Sequence, residues 1–163
     1  MTAPDGLVPD DPHDPAGATL QPGQRLARGV CRAFARHGWA TLTEFTLKGG
    51  RRADVIALDG QGGIAIVEVK SSRADFRADA KWQAYLAFCD RFYFAVPPDF
   101  PRELLPGDCG ILVADPYDAQ TVQLAPDSKL HASRRRAVTL RFAQTASQRL
   151  LRAQDPAAFV GDV

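Results

Sequence analysis

Two adjacent apolar segments constrain the fold of this chain most strongly. They are RRADVIALD (residues 51–59) and IAIVEVK (residues 64–70), and a short GQGG segment lies between them. Apolar side chains occupy odd and even positions in both segments, so both faces of each predicted strand are buried. Strands of this kind lie centrally in a sheet that helices cover, and the sequence therefore predicts an α/β fold.

The spacing of the other apolar residues predicts the elements around these two strands. A first helix covers residues 24–37 and ends at Gly38, and a strand over residues 39–47 follows it. A second helix begins after Ser72, its predicted cap, and runs to about Phe88. The remaining predicted elements are strands at 91–97, 109–115 and 120–125 and a basic C-terminal helix at 133–153.

Charge separates an acidic tail from a mildly basic body. The 163 residues include 20 Lys and Arg and 19 Asp and Glu, which gives a net charge of +1. Residues 1–22 contain four aspartates and no Lys, Arg or Glu, so 20 basic and 15 acidic residues, about +5, remain for the body. We therefore predict a disordered Pro/Gly/Asp-rich tail at 1–22, a single domain at 23–155 and a short C-terminal tail at 156–163.

Several classes of protein are disfavoured by the composition. The three cysteines and three histidines are widely spaced, which argues against a zinc site or a disulfide framework and favours the cytoplasm. No apolar run approaches the roughly 18 residues that span a bilayer, so no membrane association is expected. The N-terminal segment also lacks the basic and apolar regions of a secretory signal.

Short loops between the first three strands predict a register that brings acidic side chains together. The loop after Leu58 has five residues, and the loop after Leu47 has three. In the resulting register Asp54 lies opposite Glu68 on one side and Glu44 on the other. The sequence therefore predicts a row of three carboxylates across adjacent strands.

Lys70 adds a cation to this row, because it follows Glu68 by two residues and points to the same face of the strand. Adjacent carboxylates repel one another unless a proton, a basic side chain or a divalent cation compensates. Oxygen ligands without His or Cys favour Mg²⁺ or Mn²⁺ over zinc. The pattern indicates metal-assisted phosphodiester hydrolysis. The alternative is a surface hairpin with an ordinary salt bridge.

The segment EFTLKGGRRADVIALDGQGGIAIVEVKSSRADFRADAKWQAYLAFCDRFYFAVPPDF resembles the MmcB-like family of bacterial DNA repair proteins. Within it, RRADVIAL followed by EVKSS resembles the PD-(D/E)XK nuclease superfamily. The resemblance covers about residues 25 to 153. It implies a restriction endonuclease-like core of a helix, a three-strand meander, a helix and a strand, here with extra strands and a C-terminal helix.

The resemblance also implies roles for individual residues. Asp54 and Glu68 match the metal-binding acids, the Val69 carbonyl would be a further ligand, and Lys70 matches the catalytic lysine. Many relatives carry a glutamate in the first helix, which has no acidic residue here, and Glu44 would take over its role.

The function that the resemblance implies is a Mg²⁺-dependent deoxyribonuclease of DNA repair, with Mn²⁺ as an alternative cofactor. The alternative hypothesis is a module of the same fold that binds DNA or a repair protein without cutting DNA. Junction-cutting relatives work as dimers, so the resemblance also allows a homodimer.

Two helical segments hold the candidate DNA contacts. These are Lys81, Gln83 and Tyr85 in the second helix and Arg134, Arg135 and Arg136 in the C-terminal helix. Arginines on phosphates would give salt-sensitive binding without sequence preference. The alternatives are core packing for Tyr85, a position facing the metal for Gln83, and a solvated helix face for the three arginines.

Overall fold

A mixed β-sheet forms the centre of the computed structural model, which describes residues 19–78 and 81–159. In these residues the sheet has six strands, and their order in space is their order in the chain. The strands are β1 (Ala40–Thr46), β2 (Arg52–Leu58), β3 (Ile64–Val69), β4 (Arg91–Val96), β5 (Gly110–Ala114) and β6 (Ala119–Gln123). The β3–β4 and β4–β5 pairs are parallel, and the other pairs are antiparallel. The predicted α/β class is confirmed.

Helices cover both faces of the sheet. They are α1 (Pro22–Arg36), α2 (Arg73–Ala78) and α3 (Ala132–Gln154), with 3-10 helices at Trp82–Phe88, Arg102–Leu104 and Pro156–Phe159. Helix α1 packs on one apolar cluster, which contains Val55, Val67 and Ala95. The larger cluster on the other face includes Trp82 from a 3-10 helix and Phe142 from α3.

Helix α1 approaches the sheet closely because Gly29 has no side chain. A Cβ atom built on Gly29 would lie 1.8 Å from the Asp115 carbonyl oxygen and 2.7 Å from that of Asp118. Gly38 follows the helix in the left-handed conformation with φ +78°, so the predicted glycine end is confirmed. These contacts fix the position of α1 above the strands.

The continuous helix predicted from Ser72 to Phe88 is wrong. Ser72 does cap α2, since its hydroxyl accepts the Asp75 N–H at 3.2 Å, but α2 ends at Ala78. A 3-10 helix has three residues per turn, which places Trp82 and Tyr85 on the same side. Their rings stack on Phe92 at centroid distances of 5.1 and 5.9 Å. The aromatic packing therefore accounts for the tighter helix.

The predicted strand register is confirmed. Leu58 pairs with Ile64 across the first loop, and Leu47 donates to the Arg51 carbonyl at 2.7 Å across the second. One irregularity interrupts β1 at Glu44, whose φ of +48° lies in the left-handed region. Residues on either side of Glu44 remain paired with β2.

Parts of the predicted tails lie outside the described residues, namely 1–18 and 160–163. Within the predicted C-terminal tail, Pro156–Phe159 forms a 3-10 helix, and the Arg152 guanidinium lies over the Phe159 ring at 4.6 Å. In the part of the chain that the structure describes, no helix is long and apolar enough to cross a membrane.

Candidate active site

Asp54 and Glu68 meet where β2 and β3 stop pairing. The last paired residues before them are Val55 and Val67. Beyond this pair, hydrogen bonds to side chains replace the backbone hydrogen bonds between the two strands. Asp54 Oδ2 accepts the Val69 N–H at 2.8 Å. The Asp54 N–H in turn donates to Glu68 Oε1 at 3.3 Å. The two acids thus hold the separating strands together through their carboxylates.

Lys70 lies beside Glu68, with Nζ 3.9 Å from Glu68 Oε2. Both side chains are only 7% exposed, which is unusual for charged residues. The Lys70 backbone N–H donates to the Ala95 carbonyl at 2.9 Å, and this bond fixes the end of β3 against β4. The structure therefore brings Asp54, Glu68 and Lys70 together, at the end of a fully buried strand.

Burial sets the electrostatics of both acids. It raises the pKa of Glu68, the neighbouring Asp54 adds to the rise, and the net pKa is about 8 despite the nearby Lys70 ammonium. Burial also raises the pKa of Asp54, although the Val69 N–H and Lys70 oppose it. Buried carboxyl groups with perturbed pKa values in a cleft are typical of functional sites.

Glu44 does not complete the predicted row of carboxylates. It lines the same cleft as Asp54 and Glu68, but its side chain is 51% exposed and lies 3.8 Å from an Arg52 guanidinium nitrogen. In the described residues, no group of three or more His, Cys, Asp or Glu side chains could hold a metal ion. The physical reason is the left-handed backbone at Glu44, which interrupts the alternation on which the predicted row depended.

Arg149, near the end of α3, holds the irregular segment of β1. Its guanidinium donates to the Thr43 carbonyl at 2.7 Å and to the Glu44 carbonyl at 3.1 Å. The sequence predicts Arg149 only as part of the basic C-terminal helix, because this contact joins positions more than a hundred residues apart. Helix α3 therefore reaches the edge of the candidate site.

A cleft of about 750 Å³ opens above the two acids. Asp54, Glu68 and Lys70 line one side of it. The opposite wall comes from α1 and includes Gln24 and Arg28, which are four residues apart and so lie on one helix face. The sequence analysis did not predict that α1 residues line the candidate site. The available signal was that α1 contains arginines and no acidic residue.

The candidates for DNA contact in the 3-10 region differ in position. Tyr85 is buried, and its hydroxyl donates to the Arg52 carbonyl at 2.8 Å while lying within hydrogen-bonding reach of Glu68. The structure thus gives Tyr85 the core position that was the alternative reading. Lys81 and Gln83 are exposed.

The three candidate arginines of α3 lie at the other end of the sheet. Arg135 forms a two-pronged ion pair with Asp90, at 2.7 and 2.6 Å, so its guanidinium has a structural partner. Arg134 lies over the Phe88 ring at 4.9 Å, and Arg136 is exposed. The helical rise places Arg135 roughly 20 Å from Arg149 along α3. DNA contact by these arginines stays a prediction.

Comparison with known proteins places the chain in a family. The model of the family described as DNA repair protein MmcB-like matches residues 13–157. The solved structure of SPO1766, a protein of unknown function from Silicibacter pomeroyi, superposes with a TM-score of 0.86 at 49% identity. The match covers 89% of this chain and 99% of that one. No curated protein matches the chain. The chain therefore belongs to the MmcB-like family of DNA repair proteins.

Proposed function

We propose that the chain is a metal-dependent nuclease that hydrolyses phosphodiester bonds of DNA during repair. The observation that carries the proposal is the group of Asp54, Glu68 and Lys70 in the cleft, in which Glu68 and Lys70 are buried. Membership of a DNA repair family supports DNA as the partner. The resemblance to the PD-(D/E)XK superfamily agrees with the type and spacing of these three residues.

The residues present fit a hard divalent cation such as Mg²⁺, or Mn²⁺ in its place. The donors are oxygens, from the Asp54 and Glu68 carboxylates and the Val69 carbonyl, and Mg²⁺ usually takes one or two carboxylates and keeps several waters. The electrostatics also agree, since burial and the proximity of Asp54 make the charged form of Glu68 unfavourable. A cation between the two acids would remove this cost.

When bound, the cation would act as a Lewis acid on the phosphodiester and neutralise developing charge. The chain's own residues supply the remaining functions. Lys70 is held within 3.9 Å of Glu68 and positions the attacking water through its ammonium protons. The short bond from the Val69 N–H keeps the Asp54 carboxylate oriented. Burial of Glu68 and Lys70 excludes bulk water, which strengthens both interactions.

The proposal is tested by incubating plasmid and branched DNA with the protein in Mg²⁺, in Mn²⁺ and in EDTA. We expect cleavage in either metal and none in EDTA. Lys70→Ala should reduce the cleavage rate by about 10²-fold or more, because it removes the group that orients the water. Lys48→Ala is the matched control, since Lys48 is exposed in the β1–β2 turn.

Thermal melts of both lysine variants establish that they are folded. Cleavage that survives both EDTA and the loss of Lys70 would contradict the mechanism. Salt-sensitive DNA binding without product in any metal would instead favour a non-catalytic DNA-binding or adaptor module of the repair machinery.

A further inference from the structure

The wall of the cleft opposite the acids has its own chemistry. It is formed by α1, which contains arginines and no acidic residue. Gln24 and Arg28 line the cleft from successive turns of this helix, and Gln21 lines it from the position just before the helix. Arg28 is half-buried, and its Nη1 atom is buried. The cleft therefore has a carboxylate side on the sheet and a guanidinium side on the helix.

The other arginines near the end of α1 have a different environment. The Arg32 guanidinium lies over the Tyr117 ring at 5.7 Å, and Arg36 forms an ion pair with Asp118. Both contacts are with the segment between β5 and β6 and do not involve the cleft. Arg28 is thus distinguished from its neighbours by position, although all three have the same charge and belong to the same helix.

Basic side chains on the sheet side of the cleft stabilise the charged forms of Asp54 and Glu68. Lys70 lies within ion-pair distance of Glu68, and both Lys70 and Arg52 lower the pKa of Asp54. Arg28 faces these residues from the α1 wall of the cleft, so a ligand that enters between α1 and the sheet would lie between its guanidinium and the acids. A guanidinium binds oxyanions through a planar fork of N–H donors, for which phosphate is a good match.

We propose that Arg28 binds a non-bridging oxygen of the DNA phosphate that enters this cleft. The inference rests on the proposed function, because it names a second point of attachment for the same phosphodiester. Asp54 and Glu68 would hold the cation on the side of the phosphate that faces the sheet, and Arg28 holds the side that faces α1. Arg28 is then a substrate-binding residue on the first helix of the fold.

The test measures binding of a short fluorescein-labelled DNA duplex by anisotropy over a series of salt concentrations, with Ca²⁺ in place of Mg²⁺. Arg28→Ala should weaken binding by about tenfold, the size of one hydrogen bond to a charged group. The slope of log K against log salt should fall by about 0.9, the contribution of one phosphate contact. Arg28→Lys keeps the charge and should retain the slope while losing part of the affinity.

Arg32→Ala is the matched control, because it removes the same charge from the same helix outside the cleft. It should leave both the affinity and the slope within error of the wild type. An equal loss in Arg28→Ala and Arg32→Ala would overturn the inference, as would an unchanged slope in Arg28→Ala or a reduced slope in Arg28→Lys. Because this assay reads binding alone, its result is independent of whether the wild type cleaves DNA.

Discussion

Glu68 is a single residue of the candidate site that lowers the stability of the folded protein. All six residues of β3 are buried, and Glu68 is the one among them with an ionisable side chain. Its carboxyl group has lost most of its water, and Asp54 lies beside it. Keeping this group charged inside the protein costs free energy, and so does its protonation at neutral pH, well above its ordinary pKa. A residue that destabilises the fold in this way points to selection for the chemistry of the site.

Glu68→Gln should therefore raise the stability of the metal-free protein at neutral pH. Gln is nearly isosteric, can still accept the Asp54 N–H and is neutral without having to take up a proton. We expect an increase of about 1–2 kcal/mol in the free energy of unfolding, typical of removing a functional but destabilising group. Thermal denaturation without added metal measures the change.

The change in Tm on addition of Mg²⁺ is the second measurement that tests this prediction. Mg²⁺ should raise the Tm of the wild type, because a ligand that binds only the folded state stabilises it. The Glu68→Gln variant should show a much smaller rise. Glu103→Gln, at an exposed position, should behave as the wild type. A lower Tm for metal-free Glu68→Gln, or an equal response of all three proteins to metal, would contradict this view.

At the scale of elements, the site depends on an irregular strand held by a distant helix. The left-handed conformation of Glu44 is uncommon for a residue other than glycine and requires support from its surroundings. Arg149 supplies it through two hydrogen bonds to β1 carbonyls. Helix α3 thereby fixes the strand edge next to Asp54.

Arg149→Ala should lower the DNA cleavage rate by about tenfold while the protein stays folded, since small displacements of positioning groups are costly in catalysis. Arg149→Lys should not restore the rate, because a single ammonium lacks the fork that reaches two carbonyls. Arg141→Ala is the control on the same helix, at an exposed position.

The cleavage rates of the three variants together test this role. Loss in both Arg149 variants with an unchanged Arg141→Ala supports the positioning role. Full activity of Arg149→Ala would show that β1 keeps its shape without the helix.

The strand register could be predicted from the sequence, whereas the irregular strand and the 3-10 helix could not. The register followed from short loops, which leave little choice of pairing, and so the proximity of Asp54 and Glu68 was predictable. The irregularity at Glu44 was not, because Arg149 stabilises it from more than a hundred residues away. The 3-10 helix at Trp82 was missed for a similar reason, since stacking on Phe92 overrides the local helical pattern.

At the scale of the whole molecule, a second charged group joins the elements opposite the candidate site. Asp90, just before β4, pairs with Arg135 of α3. Its carboxylate also accepts the N–H groups of Ile64 and Leu130 at 2.8 and 2.9 Å. This single side chain thus connects the start of β3, the loop before α3 and α3 itself.

The Asp90 carboxylate gives the fold a predictable pH dependence. Burial alone raises its pKa, but hydrogen bonds from Arg135 and two backbone N–H groups outweigh this and lower the pKa to about 2. An acid with a depressed pKa stabilises the fold above its unfolded value of about 3.9 and loses that contribution as the pH falls toward 2. The contribution at neutral pH is about 2 kcal/mol.

Asp90→Asn should therefore unfold at a lower urea concentration at neutral pH, and the difference from the wild type should shrink between about pH 4 and pH 2. Asp99→Asn, which changes an exposed aspartate, should follow the wild-type curve. A constant difference across this range would show that the carboxylate charge is not what matters.

The length of α3 sets a minimum size for any DNA that uses both of its ends. Arg149 borders the cleft, whereas Arg134 and Arg136 lie roughly 20 Å away near the other end of the helix. A duplex rises about 3.4 Å per base pair, so a molecule in contact with both ends would extend at least about six base pairs to one side of the cut phosphate. Shortening a duplex on that side should weaken its binding abruptly near this length.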